Sequence, residues 1–244
     1  MLHQEFRKLV PNAKTAVLFI HGIVGSPNHF APLLPLVPEQ FSVCNLLLDG
    51  HGKGVRDFSH TSMKKWETQV QEAVAFLSRE HDSIYIVAHS MGTLFAVEQA
   101  IQSPKVKKLF LLAMPIKLFL KPAAAINSAK VLFGKIDPDD PVLIAAKRCY
   151  GIEEDKNLLK YIGWVPRYLE LFQKIIQTQN RLPHLCTSCQ VYQSYNDELV
   201  SRSSIPYLEN FGSMSVNVLK DSSHYYYGEE DQEFLRQEFC NYIN

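Results

Sequence analysis

The chain has 244 residues, 46% of them apolar, enough to bury one large core or a core carrying an insertion, and too apolar for a disordered chain. Twenty-five basic residues balance twenty-five acidic ones, so no bulk field draws a polyanion or an anionic membrane, and nucleic acid is set aside as a partner. The longest apolar stretch, LFLLAMPIKLFL, contains Pro115 and Lys117 and stops at about 12 residues, short of the roughly 20 that a membrane span requires.

The opening segment MLHQEFRKLVPNAKTAVLFI lacks the basic, apolar and small-residue order of an export signal, so the expectation is a soluble, cytoplasmic protein. Five scattered cysteines do not form a secreted disulfide framework and are read as reduced thiols. The CxxC pair Cys186 and Cys189 has no second pair or histidine cluster to complete a metal site, so no metal and no cofactor is expected.

The first strand is AVLFI (16–20), followed by the turn HGIVGS. A second, FSVCNLLL (41–48), runs into DGHGKG. In the segment 62–80 the residues Trp66, Val70, Ala73, Val74 and Leu77 fall on one helical stripe, with Thr61 or Ser62 placed to cap it. Strands follow at SIYIVA (83–88) and KLFLLA (108–113), and later at CQVYQSY (189–195) and SVNVLK (215–220), before a last helix in DQEFLRQEFCNYI. Apolar strands alternating with helices predict an α/β fold with a mostly parallel sheet covered on both faces.

Residues 115–185 break this rhythm with six prolines and long helical patterns, which predicts an inserted helical cap on a core made of 1–114 and 186–244. Within it WVPRYLELFQKIIQ sets Trp164, Tyr168, Leu171, Phe172, Ile175 and Ile176 near helical spacing. Two readings stand open: an amphipathic helix packed on the core, or a lid whose apolar underside faces a ligand.

Chemistry is carried first by AHSMG (88–92), which joins a strand to a helix. A serine on so sharp a bend stands clear of the sheet edge, and the residues two positions before and after it must be small, as Ala88 and Gly92 are. Ser90 needs a base, and His224, on a loop just past the last strand, is the candidate. His89 adjoins the serine, but neighbours on a tight turn point apart, so it is expected to pack or to bind backbone. The base needs an orienting carboxylate: Asp197, which follows the strand 189–195, is the candidate, with Glu198 and Asp221 as rivals. Donors for a developing oxyanion are expected from the backbone amides of Met91, at a helix start, and Ile23, after the first strand.

The motifs HGIVGS, LLLDGHGKG, AHSMGTLFA, YNDELV and SSHYYY stand in the order and approximate spacing of α/β-hydrolase fold esterases and lipases. The chain resembles most the small bacterial carboxylesterase and monoacylglycerol lipase-like group with a helical cap, over nearly its whole length apart from that cap. This resemblance implies Ser90 as nucleophile, Asp197 as acid, His224 as base, and the Ile23 and Met91 amides as the oxyanion hole. It implies a small-molecule ester substrate with an apolar acyl group, and a structural role for Asp49 and His51 in DGHG. Thioester, amide and carbon–carbon bond hydrolysis use the same machinery, and a non-catalytic ligand-binding relative is the reading from another class. The tyrosines 225–227 are expected either to line a pocket or to pack beneath the last helix.

Overall fold

An apolar run with no polar alternation needs cover on both faces of its strand. The central runs of this chain receive it in the computed structural model, which describes residues 3–119 and 136–244. Seven strands form one sheet: β1 (Phe6–Lys8), β2 (Thr15–Ile20), β3 (Ser42–Asn45), β5 (Ser83–His89), β6 (Val106–Leu112), β8 (Ser188–Ser194) and β9 (Met214–Leu219). Their order is β1-β3-β2-β5-β6-β8-β9, with β1 antiparallel to β3 and the other neighbours parallel. A second, two-stranded ladder pairs β4 (Lys53–Gly54) with β7 (Ile152–Glu153). The helices of the described residues are α1 (Val55–His60), α2 (Met63–Glu80), α3 (Met91–Gln102), α4 (Pro141–Cys149), α5 (Val165–Arg181), α6 (Ser204–Leu208) and α7 (Glu229–Ile243).

Alternate residues of the central strands feed two cores. Leu18, Ile20, Ile86, Ala88 and Leu111 face α2 and α3, where Trp66, Val70, Val74 and Leu77 make the stripe expected from 62–80. Val17, Phe19, Val87, Phe110 and Tyr192 face the other way, against Phe30 and the α7 residues Leu235, Phe239 and Tyr242. Ser62 caps α2 by accepting the Lys65 N–H at 3.2 Å.

Register aligns the strand ends: Ile20 lies opposite Ala88, and Ala88 opposite Leu111. The turns after β2, β5, β8 and β9 therefore open along one edge, which is where parallel sheets collect ligands.

Three sequence expectations shift. The run 41–48 is a strand only over Ser42–Asn45, because Leu46 and Leu48 stay buried after the chain has left the ladder and Leu48 N–H turns to the ring of His21. β1 was not expected: its three residues are all exposed and two are basic, so no burial pattern marks it. β4 and β7, two residues each, are too short to carry a periodicity.

Of the expected insertion, residues 120–135 lie outside the described residues. The described remainder runs between β6 and β8, neighbours in the sheet. The apolar set expected on one helix divides: Trp164, Leu171 and Ile175 are buried, while Tyr168, Phe172 and Ile176 are exposed. Two cations of α5, Lys174 and Arg167, are covered beside the buried Leu171 and Ile175. Lys174, only 4% exposed, pairs with Glu67 of α2 at 2.5 Å and with Glu98 of α3, and Arg181 reaches Glu98 at 2.5 Å. Arg167 bonds the carbonyls of Ser59 and Thr61. Glu170 accepts the Met63 N–H at 2.8 Å.

Candidate active site

Ser90 sits between β5 and α3 with φ 51° and ψ −124°, a region that L residues enter only under restraint, at a cost of about 1–3 kcal/mol. Its own N–H donates to Leu112 O at 2.9 Å, and its carbonyl accepts the N–H and hydroxyl of Thr93. Crowding explains the small neighbours. A Cβ on Gly92 would lie 2.2 Å from the carbonyl oxygen of Ile20, so α3 can start against the end of β2 only with glycine there. A Cβ on Gly22 would lie 2.8 Å from the Ser90 Cβ, a packing demand made by a residue nearly seventy positions away that spacing within AHSMG does not reveal.

His224 lies on the turn after β9, closed by a bridge between Ser222 and Tyr227. Its Nε2 is 3.1 Å from Ser90 Oγ, and its Nδ1 is 2.9 Å from Asp197 Oδ2. Both His224 and Asp197 are buried. Asp197 Oδ1 accepts the N–H groups of Leu199 at 2.7 Å and Val200 at 2.8 Å. Burial works against its charge, but the His224 ring and these two amides outweigh burial and hold the carboxyl below its usual range. An ionised carboxylate only accepts, so Nδ1 of His224 carries the hydrogen and Nε2 presents its lone pair to the serine hydroxyl. Burial also opposes charge on His224, and Asp197, helped by Glu198, overcomes it, so the imidazole pKa lies above its ordinary value. Such a line can take a proton from Oγ and hold the resulting imidazolium.

Met91 is the first residue of α3, where helix geometry leaves the amide without an intrahelical acceptor. Ile23 follows β2 in a turn fixed from several sides. Leu48 N–H donates to His21 Nε2 at 3.1 Å, so the His21 hydrogen is on Nδ1, which donates to Gly22 O at 2.8 Å. Val24 has φ 50°, an outlier for a β-branched residue. Its carbonyl accepts the Gly151 N–H at 2.8 Å, and a Cβ on Gly151 would meet Gly25 O at 2.2 Å. Among the described residues, neither the Ile23 nor the Met91 amide donates a hydrogen bond.

Several neighbours were not legible beforehand. His29 stacks on His89 with ring centres 3.8 Å apart, and His89 donates from Nε2 to the His224 carbonyl at 2.9 Å, in line with its expected backbone role. Glu198, weighed only as a rival acid, accepts the His224 N–H at 3.1 Å. Tyr225 stands edge-on to the His224 ring at 4.8 Å, while Tyr227 joins the core beneath α7, one of the two expected roles, and meets His29 at 3.2 Å. His51 packs against His21, Phe58 and Trp66.

A family model described as serine aminopeptidase, S33 matches residues 11–231. The thermostable monoacylglycerol lipase of Bacillus sp. (strain H-257) is 31% identical over 91 residues, 36% of this chain and 36% of that protein, so the matched stretch spans about a third of that relative. A structure reported with LipS and LipT, two metagenome-derived lipolytic enzymes, superposes with a TM-score of 0.74 at 18% identity, over 99% of this chain and 97% of the other. The monoacylglycerol lipase of Paleococcus ferrophilus gives 0.67 at 17% identity, over 98% of each chain. The fold is that of the α/β-hydrolases, a mostly parallel sheet flanked by helices.

Proposed function

The chain belongs to the Hydrolase_4 family, serine aminopeptidase S33, and within it we propose that this protein hydrolyses carboxylic esters through an acyl-enzyme on Ser90. The observation that carries the reading is the unbroken line from the Ser90 hydroxyl through the His224 ring to the Asp197 carboxylate, at 3.1 and 2.9 Å.

In this reaction His224 Nε2 takes the Ser90 proton as Oγ adds to the ester carbonyl. The amides of Ile23 and Met91 receive the charge that develops on the carbonyl oxygen, a pair of donors each worth about 3 kcal/mol in comparable sites. Collapse breaks the bond to the alcohol, which leaves with the proton from Nε2. Water then gives a proton to His224 as it adds to the acyl carbon, and collapse releases the acid while Ser90 Oγ takes that proton back from Nε2. Asp197 stays ionised and keeps the hydrogen of His224 on Nδ1.

Substrates with an apolar acyl group, monoacylglycerols among them, are the class we assign. The support is the exposed apolar surface of residues 158–176, where Leu158, Leu159, Ile162, Leu169, Phe172 and Ile176 face outward. We assign residues 115–185 to a cap and residues 1–114 with 186–244 to the catalytic core. Among the described residues no helix is long and apolar enough to cross a membrane. The five free thiols support a reducing, cytoplasmic setting.

The test is Ser90→Ala assayed on p-nitrophenyl esters from acetate to palmitate and on a monoacylglycerol. We expect a loss of about a millionfold, the scale of nucleophile removal in serine hydrolases, together with loss of fluorophosphonate labelling. Parent-like turnover in that variant would overturn the assignment. Because the family model is described by a peptidase, an amino-acid arylamide and a thioester belong in the same panel, and faster turnover of either would move the bond specificity.

A further inference from the structure

We propose that Glu198 and His89 are positioning residues for His224, gripping its own peptide groups from two sides so that its ring stays on the Ser90 hydroxyl. The inference rests on the reaction proposed above. All four hydrogen-bonding groups of His224 meet side chains. The ring nitrogens go to Asp197 and Ser90, the N–H donates to Glu198 Oε2 at 3.1 Å, and the carbonyl accepts from His89 Nε2 at 2.9 Å.

A turn that carries a base has no ladder of its own to hold it. The Ser222–Tyr227 bridge and the bond from Ser223 N–H to Tyr226 O lie within the turn. Asp231 of α7 fixes its start, through the amides of Lys220 and Asp221 and the Ser222 hydroxyl, and Asn196 N–H reaches Ser222 O at 3.1 Å. At His224 itself the ties are Glu198, from the loop after β8, and His89, from the end of β5. A carbonyl only accepts, so His89 carries its hydrogen on Nε2. Burial, then the neighbouring His29 and His224, push its pKa well below the ordinary value, so it serves as a neutral donor. His29 lies flat against it and fixes the plane of the ring.

Glu198 supplies charge as well as geometry. The groups facing His224 are Asp197 and Glu198 after β8, His89 at the end of β5, His29 in the turn Pro27–Phe30, and Tyr225 beside it. Burial keeps the two histidines and the tyrosine neutral, which leaves the two carboxylates as the net charge felt by the ring. A glutamine at 198 would keep an acceptor for the His224 N–H and remove the charge, so the two contributions separate by experiment.

The experiment measures kcat and KM for p-nitrophenyl butyrate from about pH 5 to about pH 9, with melting temperatures, on the full chain. Glu198→Gln should lower the plateau of kcat/KM about threefold and move its acid midpoint down by about half a pH unit. Glu198→Ala should lower kcat about thirtyfold with KM changed less than about twofold, as expected when a reacting group is misplaced without loss of substrate binding. His89→Gln, which keeps an N–H donor, should regain about tenfold of the rate lost in His89→Phe. If His89→Phe does not fold, the Glu198 pair decides. Profiles of both Glu198 variants that superimpose on the parent overturn the proposal. Ser90→Ala run alongside separates the two readings: if it is inactive while Glu198→Ala matches the parent, only the positioning role falls.

Discussion

At Ser90 the backbone is bent into φ 51°, and the glycines at 92 and 22 leave it room: a Cβ on Gly92 would meet the carbonyl oxygens of Ile20 and His21, and one on Gly22 would meet the Ser90 Cβ. Gly92, like the small Ala88, could be read from AHSMG because the motif itself marks both positions as small. Gly22 lies outside that motif, and its crowding, like that at Gly92, arises only when β2 and β5 lie side by side. Gly22→Ala should therefore reduce kcat by about a hundredfold, since the new methyl group must push the serine from its place on His224. Melting temperature and fluorophosphonate labelling would be followed together, and a variant that labels as fast as the parent contradicts the argument. The pH dependence follows from His224. Its pKa is raised, because Asp197 and Glu198 outweigh burial, and the ring is a base only when neutral. Activity should then fall as pH drops through a midpoint above about 6.5, the ordinary histidine value. A kcat/KM profile on p-nitrophenyl butyrate with its midpoint near pH 5.5 would contradict this.

Among the elements, the long periodic ones were legible and the short or inverted ones were not. β2, β5, β6, β8 and β9 lie within two residues of their expected ends, and in β2, β5 and β6 this is because burial on both faces writes continuous apolar runs. α5 is the instructive exception. Its pattern is amphipathic, yet the inward side includes Lys174 and Arg167 beside Leu171 and Ile175, and its outward side carries Leu169, Phe172 and Ile176, so periodicity located the helix without telling which face would be covered. What holds α5 is a buried cation between two carboxylates, Lys174 with Glu67 and Glu98. Burial would raise the Glu67 pKa, but Lys174 and Lys64 hold it down at about 2. Removing the lysine takes from both acids their one buried partner and leaves Glu67 to the exposed Lys64 and Glu98 to the part-exposed Arg181. Lys174→Met should cost about 2 kcal/mol in urea unfolding at neutral pH, the scale of a lost hydrogen bond to a charged group. Adding Glu98→Leu should return part of that loss, since an apolar group tolerates the burial better than a carboxylate that has lost its buried cation. A single variant as stable as the parent would show that the network does not anchor the helix.

Across the whole molecule the site edge is assembled around imidazoles that fold neutral. His21 shapes the Ile23 turn, His51 packs beneath it, and His29 and His89 stand behind His224. Burial lowers all four pKa values, that of His29 to about 3 and of His51 to about 4, with neighbouring histidines adding to the effect at His21, His29 and His89. An unfolded chain binds a proton at each of these groups below about pH 6.5, and the native chain does not, so stability is complete above that value and declines as pH falls. His29 and His51 should each cost about 3 kcal/mol by pH 4.5, at about 1.4 kcal/mol per pH unit. Asp197 and Glu67 have depressed pKa values, so their contributions persist over this range and fade only further into acid. His224 runs the other way: its raised pKa adds stability that is full below about 6.5 and is lost as pH rises through the folded value. The two trends meet near neutrality, where stability should be greatest. Against a typical total of about 5–15 kcal/mol, the acid limb is large enough to unfold the chain. Urea unfolding midpoints at about pH 7, 6 and 5 should fall steadily, with unfolding in buffer alone by about pH 4.5. Equal midpoints at pH 7 and 5 would mean that these imidazoles reach solvent or gain protons in the native state, and would remove the neutral His89 donor on which the placement of His224 depends.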